Sequence, residues 1–203
     1  MTGWTRIEGR ATALPVENID TDQLIPARFM STPRSEGYGD FLLYDMRHGD
    51  DGQPDPEFAL NRPEAKGARI LITRRNFGAG SSREAAVYAL VDAGIQVVIA
   101  PSFGDIFSSN AINNGLLPAR LDAEVVEVLL AACAVDLTVD LESLMITGPG
   151  VSFAFELDPV WRQKLINGWD DIDLTLAHAD EIAAFAEDRK ERAPWVWPAP
   201  VQG

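Results

Sequence analysis

The chain has 203 residues, 46% hydrophobic and 24% charged, enough to bury one full core or one core with an appendage. Its net charge of −14 is uneven: residues 1–120 hold 15 acids against 12 Lys/Arg, and residues 121–203 hold 16 against 5, so no basic face is available for nucleic-acid phosphates. No run of about 18 apolar residues exists to span a membrane. Met1–Glu8 has no apolar signal-peptide core. The single cysteine, Cys133, excludes internal disulfides and suits a reducing cytoplasm.

In chain order, residues 4–14 read as a strand interrupted by Gly9 and ended by Pro15. Asn18–Phe29 reads as an acid-bearing loop. Residues 31–66 form a long irregular region, with a Gly- and Arg-bearing first half suited to binding and an Asp/Pro-rich second half suited to the surface. Ile70–Thr73 is a short strand, followed by a Gly-rich turn and an Ala-rich helix that Gly94 stops. Residues 96–101 and 116–121 read as buried strands flanking a helix over 106–114, and Asp122 starts a helix through Ala132. Cys133, in an apolar stretch, reads as a buried structural thiol. Asp136–Leu141 alternates as a half-exposed strand, and residues 144–155 make a hairpin around Gly148-Pro149-Gly150. Asp158-Pro159 opens an amphipathic helix, and one last helix spans about Asp171 to Glu191 before a Trp195-Val196-Trp197 tail. This order predicts an α/β domain with a mixed sheet over residues 1–170 and a helical extension over 171–203, the latter suited to wrapping a partner with its tryptophans as anchors. His48 and His178 are assigned no ligand role.

The turn Arg74–Glu84 carries the chemistry. Ser81 or Ser82 is a natural N-cap, and Glu84 falls where a capping-box acid can sit. The free N–H groups of the helix's first turn favour an anion there and would stabilise an ionised serine oxygen. Arg83 adds a planar fork suited to a carboxylate. Gly78-Ala79-Gly80 begins like a dinucleotide fingerprint, but Arg83 fills the third glycine position; the turn is neither a Walker loop nor a nucleophile elbow. Arg28, Arg34, Arg69, Arg74, Arg75 and Arg83 gather near this motif, some to hold a small anion. Arg69 and at least one of Arg74 and Arg75 are expected to pair with surface acids instead.

Three blocks in order, Asn18–Phe29, Asn76–Glu84 and Ala100–Phe107 with Asn110 and Asn113–Pro118, closely resemble the small subunits of 3-isopropylmalate dehydratases, the swivelling β/β/α-type domain of the aconitase superfamily as a separate chain. The resemblance implies a hydro-lyase of leucine biosynthesis, active as a heterodimer with a large subunit, that isomerises 2-isopropylmalate to 3-isopropylmalate through isopropylmaleate. It implies a [4Fe–4S] cluster on the large subunit and no metal in this chain. Residue by residue it implies Ser81 as the base, Arg83 and Ser82 on the substrate dicarboxylate, Arg34 on its second carboxylate, Asp22 as an orienting acid, and Gly78 and Gly80 as turn-formers. A sister hydro-lyase for another alkyl group and a non-catalytic closing subunit remain as alternatives.

Overall fold

In a computed structural model that describes residues 2–132 and 135–197, the sheet is organised about one nine-residue strand, β1 (Arg6–Leu14). Its first half runs antiparallel to β5 (Asp136–Asp140), with Arg6 opposite Asp140. Its second half runs parallel to β2 (Ile70–Thr73), with Ala11 opposite Ile70 and Leu14 opposite Thr73. Gly9 does not interrupt the strand; it stays in the ladder opposite Leu137. Glycine keeps its backbone donor, and the Arg69 stem lies 2.9 Å from where a Cβ would stand.

The other strands are β3 (Val97–Ala100), β4 (Leu117–Arg120), β6 (Met145–Gly148) and β7 (Val151–Ala154), giving the order β4-β3-β2-β1-β5-β6-β7. The parallel half is crossed over by α3 (Glu84–Asp92) and α4 (Asp105–Asn113); α5 (Ala123–Ala131) leads into the antiparallel half, and α6 (Pro159–Asn167) follows the hairpin. This is the α/β mixed sheet that the sequence predicts. Strands β2 and β3 are buried on both faces, as parallel strands under helices must be. Leu71 and Val98 join one apolar cluster with Ala86 and Leu90 of α3; Ile70, Ile72 and Ile99 join the other with Val126 and Leu129 of α5.

Residues 15–69 are less irregular than their composition suggests. Asp20 caps a four-residue helix, α1 (Thr21–Leu24), through a capping box with Gln23. Beyond it come 3₁₀ turns at Arg34–Glu36 and Gly39–Phe41 and a second short helix, α2 (Tyr44–Arg47). Tyr38, Leu42 and Leu43 are buried in the core, whereas residues 49–57 are exposed, as expected. Helix α3 ends in a paired motif: the Gly94 N–H donates to Val91 O and the Ile95 N–H to Leu90 O, with Gly94 at φ +91°.

Contacts divide the chain into two compact units, residues 1–169 and 170–203. In the second, the single expected helix is two, α7 (Asp171–Leu176) and α8 (Ala179–Arg192). The break falls where the His178 N–H donates to Thr175 O with His178 outside helical geometry (φ −105°, ψ 19°). Trp195 is 81% exposed. The reading of Cys133 as a buried thiol lies outside the described residues. Among those residues, no helix is long and apolar enough to cross a membrane.

Candidate active site

The parallel strands β1, β2 and β3 end at Leu14, Thr73 and Ala100 on the same side of the sheet, and the segments that follow them meet there. The segment after β2 is laced to both neighbours. On one side the Phe77 N–H donates to Ser102 O (3.1 Å) and the Gly104 N–H to Phe77 O (2.9 Å). On the other, the Gly78 N–H donates to Ile19 O (2.7 Å) and the Thr21 N–H to Ala79 O (2.9 Å). Phe77, fully buried, lies edge-on to Phe103 and Phe107 beneath this lacing.

Two glycines are dictated by this geometry. Gly78 sits at φ +71°, and a Cβ there would overlap the Phe107 ring. Gly80 sits at φ +95° with ordinary space around it, so only its backbone conformation demands glycine. Together they turn the chain so that Ser81 and Ser82 emerge exposed ahead of α3.

Neither serine caps the helix. The N-cap is Arg83, in extended geometry (φ −118°, ψ 99°), with no side-chain cap. Glu84 is therefore the first helical residue, not a capping-box acid, and its carboxylate accepts from Asn114 Nδ2 (2.9 Å). The helix starts after Arg83, whose backbone is extended and whose side-chain Nη1 forms an ion pair with Asp22. This correction matters chemically. A capping serine spends its oxygen on a backbone N–H, whereas here, among the described residues, the hydroxyls of Ser81 and Ser82 have no hydrogen-bond partner. The N–H groups of residues 81–85 likewise have no acceptor among the described residues. The first-turn donors and the α3 dipole thus face the space beside Ser81.

Asp22, Gly78, Gly80, Ser81, Ser82 and Arg83 are brought into one neighbourhood. Arg83 is only 20% exposed, and one Nη is committed to Asp22. Arg34 is elsewhere. Its Nη2 donates to Asp92 Oδ1 (2.9 Å) at the last turn of α3, and its guanidinium lies 3.6 Å from the centre of the Tyr88 ring. The length of α3, roughly 13 Å for nine residues, separates Asp92 from the serine turn. The Tyr38 N–H reaches the other Asp92 oxygen (2.8 Å), so Asp92 holds the 34–38 turn at two points. Burial first, and then the Glu84 carboxylate, push the Tyr88 phenol up, so it remains a neutral donor.

The arginines do not form a shared anion pocket. Arg28 faces Asp45, Arg74 faces Glu127 and Arg75 faces Glu17, while Arg69 binds the Gln96 side chain and Glu8 O instead of an acid. The positive potential at the serine turn comes from backbone donors and Arg83. Sequence reasoning gave no role to Thr21, whose hydroxyl donates to Ser81 O (2.9 Å). The Asp20/Gln23 capping box was the available signal, since it makes Thr21 the first helical residue of α1.

The Aconitase C-terminal domain family matches residues 1–124, and the family of C-terminal domains of the 3-isopropylmalate dehydratase small subunit matches residues 171–199. A 3-isopropylmalate dehydratase small subunit of Paramagnetospirillum magneticum is 47% identical over 201 residues, covering 97% of this chain and all of that one. The chain belongs to the 3-isopropylmalate dehydratase small-subunit family. Another small subunit of the family, from Shouchella clausii, is 48% identical over 181 residues, covering 88% of this chain and 92% of its own. The crystal structure of a 3-isopropylmalate dehydratase chain from Methanocaldococcus jannaschii superposes with a TM-score of 0.65 at 26% identity, covering 89% of this chain and 99% of that one.

Proposed function

We propose that Ser81 is the base that takes the carbon-bound proton in the dehydration of 2-isopropylmalate to isopropylmaleate, and that Ser82 and Arg83 hold a substrate carboxylate beside it. The chain acts in leucine biosynthesis as the small subunit of a hydro-lyase, 3-isopropylmalate dehydratase. The observation that carries the assignment of the base is the turn ahead of α3, where an exposed serine hydroxyl without a partner stands at a run of backbone N–H groups without acceptors. A serine hydroxyl is a poor base because its alkoxide is high in free energy. Fixed N–H dipoles lower that energy without reorganising, as they do for other oxyanions. Neither histidine is assigned a part: His48 stacks on Tyr44, and His178 lies beside Glu181.

Arg83 supplies the substrate's anchor. Its ion pair with Asp22 holds one end of the guanidinium, so a carboxylate meets a partly oriented fork. Arg34 is assigned to the second carboxylate, a role that requires it to leave Asp92 and move along α3 towards the serine turn. We place these functions in residues 1–170 and leave 171–203 as an extension directed at the partner.

An iron–sulfur cluster does not fit this chain. It has one cysteine, and among the described residues no three His, Cys, Asp or Glu side chains converge. The [4Fe–4S] cluster, and with it the Lewis-acid share of the chemistry, is assigned to the large subunit of a heterodimer in the cytoplasm. The test is Ser81→Ala in the reconstituted two-subunit enzyme. Loss of a general base lowers kcat by about 10²–10⁴, with the complex intact by gel filtration; retained turnover would reduce the chain to a closing subunit. Turnover of a set of 2-alkylmalates separates this enzyme from sister hydro-lyases, and inactivity on 2-isopropylmalate would exclude the proposed substrate.

A further inference from the structure

Thr21 is 2% exposed, and both of its hydrogen-bonding donors are spent on the serine turn. Its backbone N–H donates to Ala79 O and its Oγ1 donates to Ser81 O, each at 2.9 Å. With the Gly78 N–H on Ile19 O, three bonds tie residues 78–81 to residues 19–21. Between the two Thr21 bonds lies Gly80, at φ +95° and with nothing closer than 3.6 Å to a Cβ built on it. Gly80 is therefore the loose joint of the turn. It has no side chain to limit its rotation, and rotation there would swing Ser81 relative to the α3 N–H groups. The Thr21 hydroxyl fastens the residue just beyond that joint, and the neighbouring Asp22 fastens Arg83 two residues further on. Successive residues of α1 thus index the motif, and the Asp20/Gln23 capping box fixes the start of α1 itself.

We propose that Thr21 is the positioning residue for Ser81. Its hydroxyl, through the Ser81 carbonyl, holds the serine side chain within reach of the substrate's C–H and of the α3 N–H groups. It touches neither substrate nor proton. The proposal rests on the assignment of Ser81 as base and adds a residue to which that assignment gives no part. Misplacing a reacting group by about 1 Å can cost about 10²-fold in rate. Losing the hydroxyl should therefore lower kcat about 10- to 100-fold and leave KM within about threefold, since Arg83 keeps its own tie to Asp22.

The experiment compares Thr21→Val, Thr21→Ser and Ser81→Ala in the reconstituted two-subunit enzyme. Valine keeps the shape and removes the donor; serine keeps the donor and removes the methyl. The expected result is a kcat defect in Thr21→Val that Thr21→Ser restores to within about threefold of wild type. The proposal is overturned if Thr21→Val keeps wild-type kcat, if its defect lies in KM alone, or if Thr21→Ser is as slow as Thr21→Val, which would make the methyl's packing the cause. Should Thr21→Val fail to assemble, Thr21→Cys takes its place: the weak thiol donor should give an intermediate kcat, and wild-type turnover overturns the proposal. Ser81→Ala keeps the two readings apart. An active Ser81→Ala enzyme refutes the base assignment, whereas an inactive one beside a fully active Thr21→Val refutes only the positioning role.

Discussion

Replacing Gly78 by alanine should destabilise the chain more than the same change at Gly80, and the difference should narrow when Phe107 is shortened. An L-residue held at positive φ costs about 1–2 kcal/mol. The loss of glycine's unfolded-state freedom returns about 0.4–1 kcal/mol. At Gly80 (φ +95°) those effects stand alone, because the nearest atoms to a Cβ are Asp20 Cβ at 3.6 Å and Thr21 Oγ1 at 3.7 Å. At Gly78 (φ +71°) the new methyl overlaps the Phe107 ring and comes within 2.8 Å of the Phe107 Cβ. Phe107 is 2% exposed and boxed in by Phe77 and Phe103, so it has nowhere to go. Such overpacking costs about 1–3 kcal/mol. The net expectation is about 0–1.6 kcal/mol for Gly80→Ala and about 1–4.6 kcal/mol for Gly78→Ala. In a chain of this size the latter lowers Tm by about 2–18 °C. Urea unfolding followed by circular dichroism gives both values. In a Phe107→Ala background the cost of Gly78→Ala should fall towards that of Gly80→Ala, because the ring it strikes is gone and only the Cβ of residue 107, at 2.8 Å, is left as a close contact. An equal cost in both backgrounds, or a cost at position 78 no larger than at position 80, would refute the packing account of this turn.

Arg83→Lys in the two-subunit enzyme should raise KM for 2-isopropylmalate more than tenfold on the order-of-magnitude grounds that a point charge cannot serve Asp22 and a carboxylate together; a KM within twofold of wild type, by the same yardstick, would remove Arg83 from substrate binding. Arg34→Gln should cost the isolated chain only about 0–1 kcal/mol, since its pair with Asp92 is partly solvated, yet raise KM severalfold in the complex. An unchanged KM would confine Arg34 to holding its own turn. The Asp140 carboxylate is held below the usual range, chiefly by the Ser143 N–H and then by the Glu142 N–H. Its contribution to stability is therefore complete above the ordinary aspartate pKa and lost as pH falls through the depressed value. The stability gap between wild type and Asp140→Asn, measured by urea unfolding, should narrow from pH 7 towards pH 3, and a pH-independent gap would contradict this origin.

What the sequence made legible follows the range of the forces involved. Strands β2 and β3 announce themselves as short apolar runs because they are buried on both faces, and α6 does so because Asp158-Pro159 is a local cap that the structure uses as such. Helices α1 and α2 are four residues each, too short for any periodicity, and their existence depends on a capping box and on packing of Leu24 and Leu43. The exposure of the serine turn ahead of a helix is readable from its neighbours in sequence, and its anion-binding role stands as a proposal. The N-cap falls at Arg83 and not at a serine because the backbone stays extended through Arg83, and the partner of its side chain, Asp22, lies 61 residues earlier with no local trace. The same holds for Arg34, whose partner Asp92 lies 58 residues away. Composition suggested a pool of guanidinium charge, but it could not show that each arginine had a companion brought in from another segment.

Because β1 is locked to β2 through Ala11 and Ile70, and to β5 through its other half, both feet of the 15–69 excursion are pinned by ladders that it does not itself build. Lengthening such a detour costs little, about 0.6 kcal/mol for each doubling of a flexible loop. Natural selection could therefore insert or exchange residues in its exposed stretch, 49–57, without disturbing strand register. The first few residues after Leu14 have no such licence, because they fasten the serine turn. The tolerance for change along this excursion should thus be greatest at residues 49–57, past the buried Leu42 and Leu43.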